Sequence, residues 1–76
     1  MNSEKRLYDY IKSNGGFLAA RDKELAQALH VRIGNIPRYK QRLRNAGFIE
    51  TKVQFMDSKP ITMYRIIKDY TGQLTW

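Results

Sequence analysis

Residues 25–50 read LAQALHVRIGNIPRYKQRLRNAGFIE. Leu25, Ala26 and Leu29 recur at the spacing of one helix face, and Ala26 is small where two helices must approach closely. His30-Val31 then breaks the pattern. Histidine tolerates positive φ better than most non-glycine residues, so His30 is read as a turn residue, with Val31 pointing into the core. Pro37 cannot sit deep in a helix but suits its first turn. That places the start of the next helix near Asn35, an effective N-cap, and runs it from Ile36 to about Ala46. Ile36, Tyr39 and Leu43 face inward, and Gly47 closes the helix. The stretch predicts two short helices joined by a turn, followed by a strand that opens at Phe48.

Upstream, Asp22 and Glu24 lie in the first turn of the helix that carries Leu25, where acidic groups suit the helix dipole. Residues 3–14 predict a further helix with Ser3 as N-cap, Leu7, Tyr10 and Ile11 as its apolar stripe, and Tyr8 flanking them. Asn14-Gly15-Gly16 ends it. Phe17-Leu18-Ala19 reads as a one-bridge strand or a packed loop. Downstream, Phe48 to Met56 and Ile61 to Ile67 are rich in β-formers and predict a hairpin around the turn cluster Asp57-Ser58-Lys59-Pro60. Ile49, Thr51, Val53 and Phe55 alternate with Glu50, Lys52 and Gln54; Tyr64 and Ile66 are expected to pack on the helices. Residues 69–76 form a tail too short for another stable helix, and its Trp76 is expected to dock on the domain.

The chain has 76 residues and no cysteine, which allows one domain and excludes a disulfide staple or a zinc-cysteine site. No apolar run approaches membrane-spanning length. MNSEKRLYDY has charges and tyrosines where a signal peptide needs an apolar core. A soluble cytoplasmic protein is therefore expected.

The net charge is +7, and it is unevenly spread. Residues 1–31 carry +1 and residues 53–76 carry +1, whereas residues 32–52 set six cations against Glu50 alone, for +5. Charges this dense need an anionic partner or a well-solvated face. Helical phasing puts Asn35, Arg38, Arg42 and Asn45 opposite the inward stripe, with Gln41 beside them. Arginine can pair its donors with guanine, and asparagine and glutamine can pair theirs with adenine, so these five are the candidate base-reading residues. Arg32, Lys40, Arg44, Lys52 on the first strand and Lys59 at the hairpin tip are the candidate phosphate contacts, which position without specifying.

The order helix, short strand, helix, turn, helix, hairpin resembles the winged helix-turn-helix family. Leu25-Ala26 and Leu29 match the buried positions of its second helix, Val31 the apolar position of its turn, and Ile36 and Leu43 the inward positions of its recognition helix. Gly47-Phe48-Ile49-Glu50 is similar to the family's lead into the wing, and Tyr64-Arg65-Ile66 to its return strand. The resemblance covers about residues 3–67. It implies an α+β fold, with three helices packed on a small antiparallel hairpin wing. It also implies binding to double-stranded DNA, with the third helix in the major groove and the wing on the backbone or minor groove. His30 stands where the family has glycine, Arg32-Ile33-Gly34 where it has serine or threonine, and Pro37 lies inside the usual helix. These departures predict a helix that begins late or a longer turn.

No catalytic constellation, phosphate-cradling glycine loop or metal-ligand spacing is present, so neither an enzyme nor a cofactor is expected. The leading expectation is a small DNA-binding regulator, domain 1–68 with tail 69–76, of viral or plasmid kind, working on a nucleoid or in a host cytoplasm. A homodimer through the first helix or the tail would supply a second half-site. The competing expectations are a protein-interaction module, adaptor or inhibitor, anchored by Tyr70 and Trp76, and a DNA binder of architectural or replication type without sequence preference.

Overall fold

The computed structural model describes residues 3–68. Helix α1 (Ser3–Ser13) leads to strand β1 (Phe17–Ala20) and helix α2 (Asp22–Leu29). A 3-10 turn (Ile33–Asn35) precedes helix α3 (Ile36–Asn45), and strands β2 (Ile49–Met56) and β3 (Lys59–Ile66) follow as the last of the described elements. The fold is α+β, and the described residues form three α-helices and one antiparallel sheet in the order β1-β3-β2. Tyr70, Trp76 and the tail assigned to 69–76 lie outside the described residues. No helix among the described residues is long and apolar enough to cross a membrane.

All three helices stop the same way. Gly15 (φ 84°), His30 (φ 57°) and Gly47 (φ 80°) adopt the left-handed conformation just past each helix. The next residue then donates its N–H to the carbonyl at the start of the last turn: Gly16 to Ile11 at 3.1 Å, Val31 to Ala26 at 3.0 Å and Phe48 to Leu43 at 3.0 Å. The left-handed residue donates in turn to Lys12, Gln27 or Arg44. This double closure satisfies carbonyls that would otherwise be orphaned, and it folds Val31 and Phe48 back onto the core. His30 thus does the work usually given to glycine. At Gly47 an added Cβ would meet nothing within 4 Å, so only the backbone resists substitution. Gly47→Ala is expected to cost about 1–2 kcal/mol in urea unfolding. An unchanged midpoint would contradict this role.

The core is the layer between the helices and one sheet face. Leu7 and Ile11 of α1, Leu25, Ala26 and Leu29 of α2, and Ile36 and Leu43 of α3 meet Phe48, Ile49 and Tyr64 there. Tyr39, Val31 and Ile66 pack against this cluster. Tyr8 does not flank the stripe as expected but is buried, edge-on to Phe48 at 6.2 Å between ring centroids, with its hydroxyl donating to the Lys68 carbonyl at 3.0 Å. Ser3 is the first residue of α1, not the cap before it. Arg6 donates its guanidinium to the carbonyl of Leu29 and so ties α1 to the end of α2. At the start of α2, the Arg21 N–H donates to Glu24 Oε1 at 2.9 Å, one half of a capping box.

The expected hairpin is part of a larger sheet. Phe17–Ala20 is a full strand, paired with β3 from Phe17↔Arg65 to Ala20↔Thr62. Its identity as a strand depends on a segment far along the chain, so local pattern left it open. The hairpin turn is also tighter than expected. Asp57 (φ 53°) and Ser58 (φ 63°) alone make it, while Lys59 and Pro60 belong to β3. Two successive left-handed residues match the twist of the flanking strands. Met56↔Lys59 closes the ladder and exchanges both hydrogen bonds; Phe55↔Pro60 is the next pair and exchanges none. Pro60 therefore lacks no donor that β2 requires, and its ring nitrogen faces the edge that β1 does not reach.

Candidate nucleic-acid interface

Helix α3 rests on Ile36 and Leu43, both buried, with Tyr39 half-buried beside them. With about 3.6 residues per turn, the line farthest from that spine runs through Arg38, Gln41 and Asn45. All three are exposed. Gln41 Nε2 donates to Asn45 Oδ1 at 3.2 Å, so the two amides form one hydrogen-bonding unit across a helical turn. Arg42 lies on the flank that looks toward α1, where its guanidinium is 3.3 Å from Glu4 Oε1. That pair leaves Arg42 63% exposed and is worth at most about 1 kcal/mol, so an incoming anion can compete for it. Arg44 is exposed on the opposite flank.

The turn before α3 departs from a simple cap. Arg32 is extended and exposed, and the Asn35 N–H closes the 3-10 turn onto the Arg32 carbonyl at 3.0 Å. Asn35 holds the position before α3, but its backbone is already helical and its side chain makes no cap hydrogen bond. Pro37 falls in the first turn of α3. The extra turn is the physical form of the late helix start, and it leaves the Asn35 amide free of the capping duty that the sequence assigned to it.

Lys40 does not stand on an exposed flank. It is turned inward, 17% exposed, with Nζ 2.9 Å from Asp22 Oδ1 and 5.6 Å above the centre of the Tyr64 ring. Burial disfavours its ammonium, but the hydrogen bond to Asp22 and the neighbouring Tyr64 outweigh that and raise its pKa. Burial likewise pushes the Tyr64 hydroxyl up, with Lys40 pulling against it. Lys40 therefore serves first as the joint between α2, α3 and the sheet. It was misplaced because its partner comes from another helix.

On the hairpin, the two predicted lysines separate. Lys59 lines an open groove of about 430 Å³, with Arg21, Asp22 and Lys40 on one wall and Val53 and Pro60 on the other. Lys52 stands opposite Met63 on the outer sheet face, in a hollow of about 480 Å³ that also holds the Glu50–Arg65 ion pair. Arg32, Arg38, Arg44, Lys52 and Lys59 carry no ion pair among the described residues. The structure thus brings Arg38, Gln41, Arg42, Arg44 and Asn45 onto one ridge, with Asn35 and Arg32 before its start. It sets Lys59 on the hairpin across the groove and leaves Lys52 on the far side. Arg21, at the groove wall, was not singled out in the sequence, because only the fold carries it to the hairpin. Comparison with family models, with curated proteins and with solved structures finds no match.

Proposed function

We propose that this chain is a small winged helix-turn-helix DNA-binding protein, a transcriptional regulator that lays α3 in the major groove. The β2–β3 hairpin acts as the wing, on the backbone or minor groove. One observation carries the reading. The exposed ridge of α3 presents Arg38, Gln41 and Asn45 at its crest, with Arg42 and Arg44 on its flanks and no acid among them, while Ile36 and Leu43 hold the helix rigidly from beneath. Donors that fit base edges lie at the centre and cations that fit phosphates at the margins, in the order a groove requires. A solvated surface helix has no need of five such groups without a single carboxylate between them.

The test is the salt dependence of affinity for a duplex of about twenty base pairs, followed by fluorescence anisotropy. Four to six phosphate contacts predict a log–log slope of about −4 to −5. A slope near zero would overturn the reading. Repeating the titration with unrelated duplexes separates a regulator, which prefers one sequence, from an architectural binder, which does not.

A further inference from the structure

Beyond the pair Val53↔Thr62, strand β1 no longer accompanies the hairpin, which continues as a two-stranded ribbon through Gln54↔Ile61, Phe55↔Pro60 and Met56↔Lys59. At about 3.4 Å per residue this ribbon reaches about 10 Å past the three-stranded sheet. Its surface gathers three exposed apolar side chains, Val53, Phe55 and Met56, within four residues. Phe55 is 73% exposed, the most exposed large apolar residue among the described residues, with Val53 and Met56 also in solvent. The strand alternation puts Phe55 on the same sheet face as Thr51 and Val53, the face against which Tyr64 and the helices pack. The ring therefore projects on the side where α3 lies. Pro60 stands directly opposite Phe55 and stiffens the ribbon at that point. The neighbouring cation is Lys59, and the one acid of the tip is Asp57 in the turn.

We propose that the hairpin tip is a wedge for duplex DNA: it enters the minor groove and inserts Phe55, backed by Pro60, between two adjacent base pairs, kinking the duplex. This rests on the DNA-binding reading above and adds to it a mode of action. An apolar side chain in the minor groove partly unstacks a base step and bends the duplex toward the major groove by about 20–90°. Pyrimidine–purine steps yield most readily, so the wedge selects flexible steps without reading a base edge. The electrostatics favour DNA as the occupant. The apolar tip is continuous with the groove that holds Lys59, Arg21 and the Lys40–Asp22 pair, and it projects from the sheet face on which α3 packs. A polyanion that engages the ridge meets the tip with its apolar base stack.

The experiment uses the full chain and a 30-base-pair duplex rich in A·T pairs, with central TA steps and a donor and acceptor dye at its two ends. Anisotropy of the same duplex reports binding. The wild type is expected to bind and to raise energy transfer. Phe55→Ala is expected to bind within about tenfold of the wild type and to lose the rise, whereas Phe55→Leu, which keeps an apolar wedge, retains part of it. Because Phe55 is largely in solvent, circular dichroism should show the variants folded. A wild type that binds without any rise in energy transfer, or a Phe55→Ala variant that bends the duplex as the wild type does, overturns the wedge alone. Flat anisotropy for the wild type overturns the DNA-binding reading, and the wedge with it.

Discussion

Reversing two charges on α3, Arg38→Glu together with Arg44→Glu, is expected to weaken duplex binding by about a thousandfold while leaving the fold intact. Both side chains are exposed and neither has an ion pair among the described residues. Their replacement opens no cavity and strands no partner. Each lost arginine contact removes about 1–3 kcal/mol if it reads a base, and each new carboxylate adds repulsion against the phosphates. Losing the phosphate contact of Arg44 would also flatten the log–log salt slope by about one. The measurement is anisotropy at fixed low salt, with a thermal melt as control. Retained affinity in the double variant would mean that this ridge is not the binding face.

Leu43→Ala is expected to remove most of the stability of the domain. Leu43 has no exposed surface and sits where α3 meets the rest of the core, and its carbonyl receives the Phe48 N–H that turns the chain into β2. Leucine-to-alanine changes at such sites cost about 2–5 kcal/mol. A single-core domain of this size commands only about 3–5 kcal/mol in total. Urea unfolding followed by circular dichroism should therefore find the variant marginally folded at best near room temperature. The loss should be far greater than for Gly47→Ala, where only the backbone conformation is at stake. A midpoint close to that of the wild type would contradict the packing described here.

The two predictions separate what holds the ridge up from what the ridge presents, and the two were not equally legible in the sequence. Leu25, Ala26 and Leu29, and then Ile36 and Leu43, could be phased from spacing alone because a helix is a local structure with a fixed period. Pro37 and Gly47 bounded α3 to within a residue, and His30 announced its left-handed turn. Relations between segments were harder to read. Lys40 phases near the rim of the buried stripe, and only the arrival of Asp22 from α2 and Tyr64 from β3 turns it inward. Phe17–Ala20 gains its strand identity from β3, and Arg6 its role from the end of α2. For Val53 and Phe55, alternation tells which face a side chain takes, not whether anything covers that face. Asn35 lost its capping role to a 3-10 turn that no local preference signalled.

The proposed DNA-binding face joins α3 to the hairpin tip. It is tested most directly by titrating the isotope-labelled chain with a short duplex and following its backbone amide resonances. The perturbed amides are expected to concentrate in residues 35–45, on α3 and the residue before it, and in residues 54–60 of the hairpin. The outer sheet face around Phe17, Glu50 and Met63 should stay nearly silent. Perturbations gathered on that outer face, or an unchanged spectrum at millimolar duplex, would contradict it.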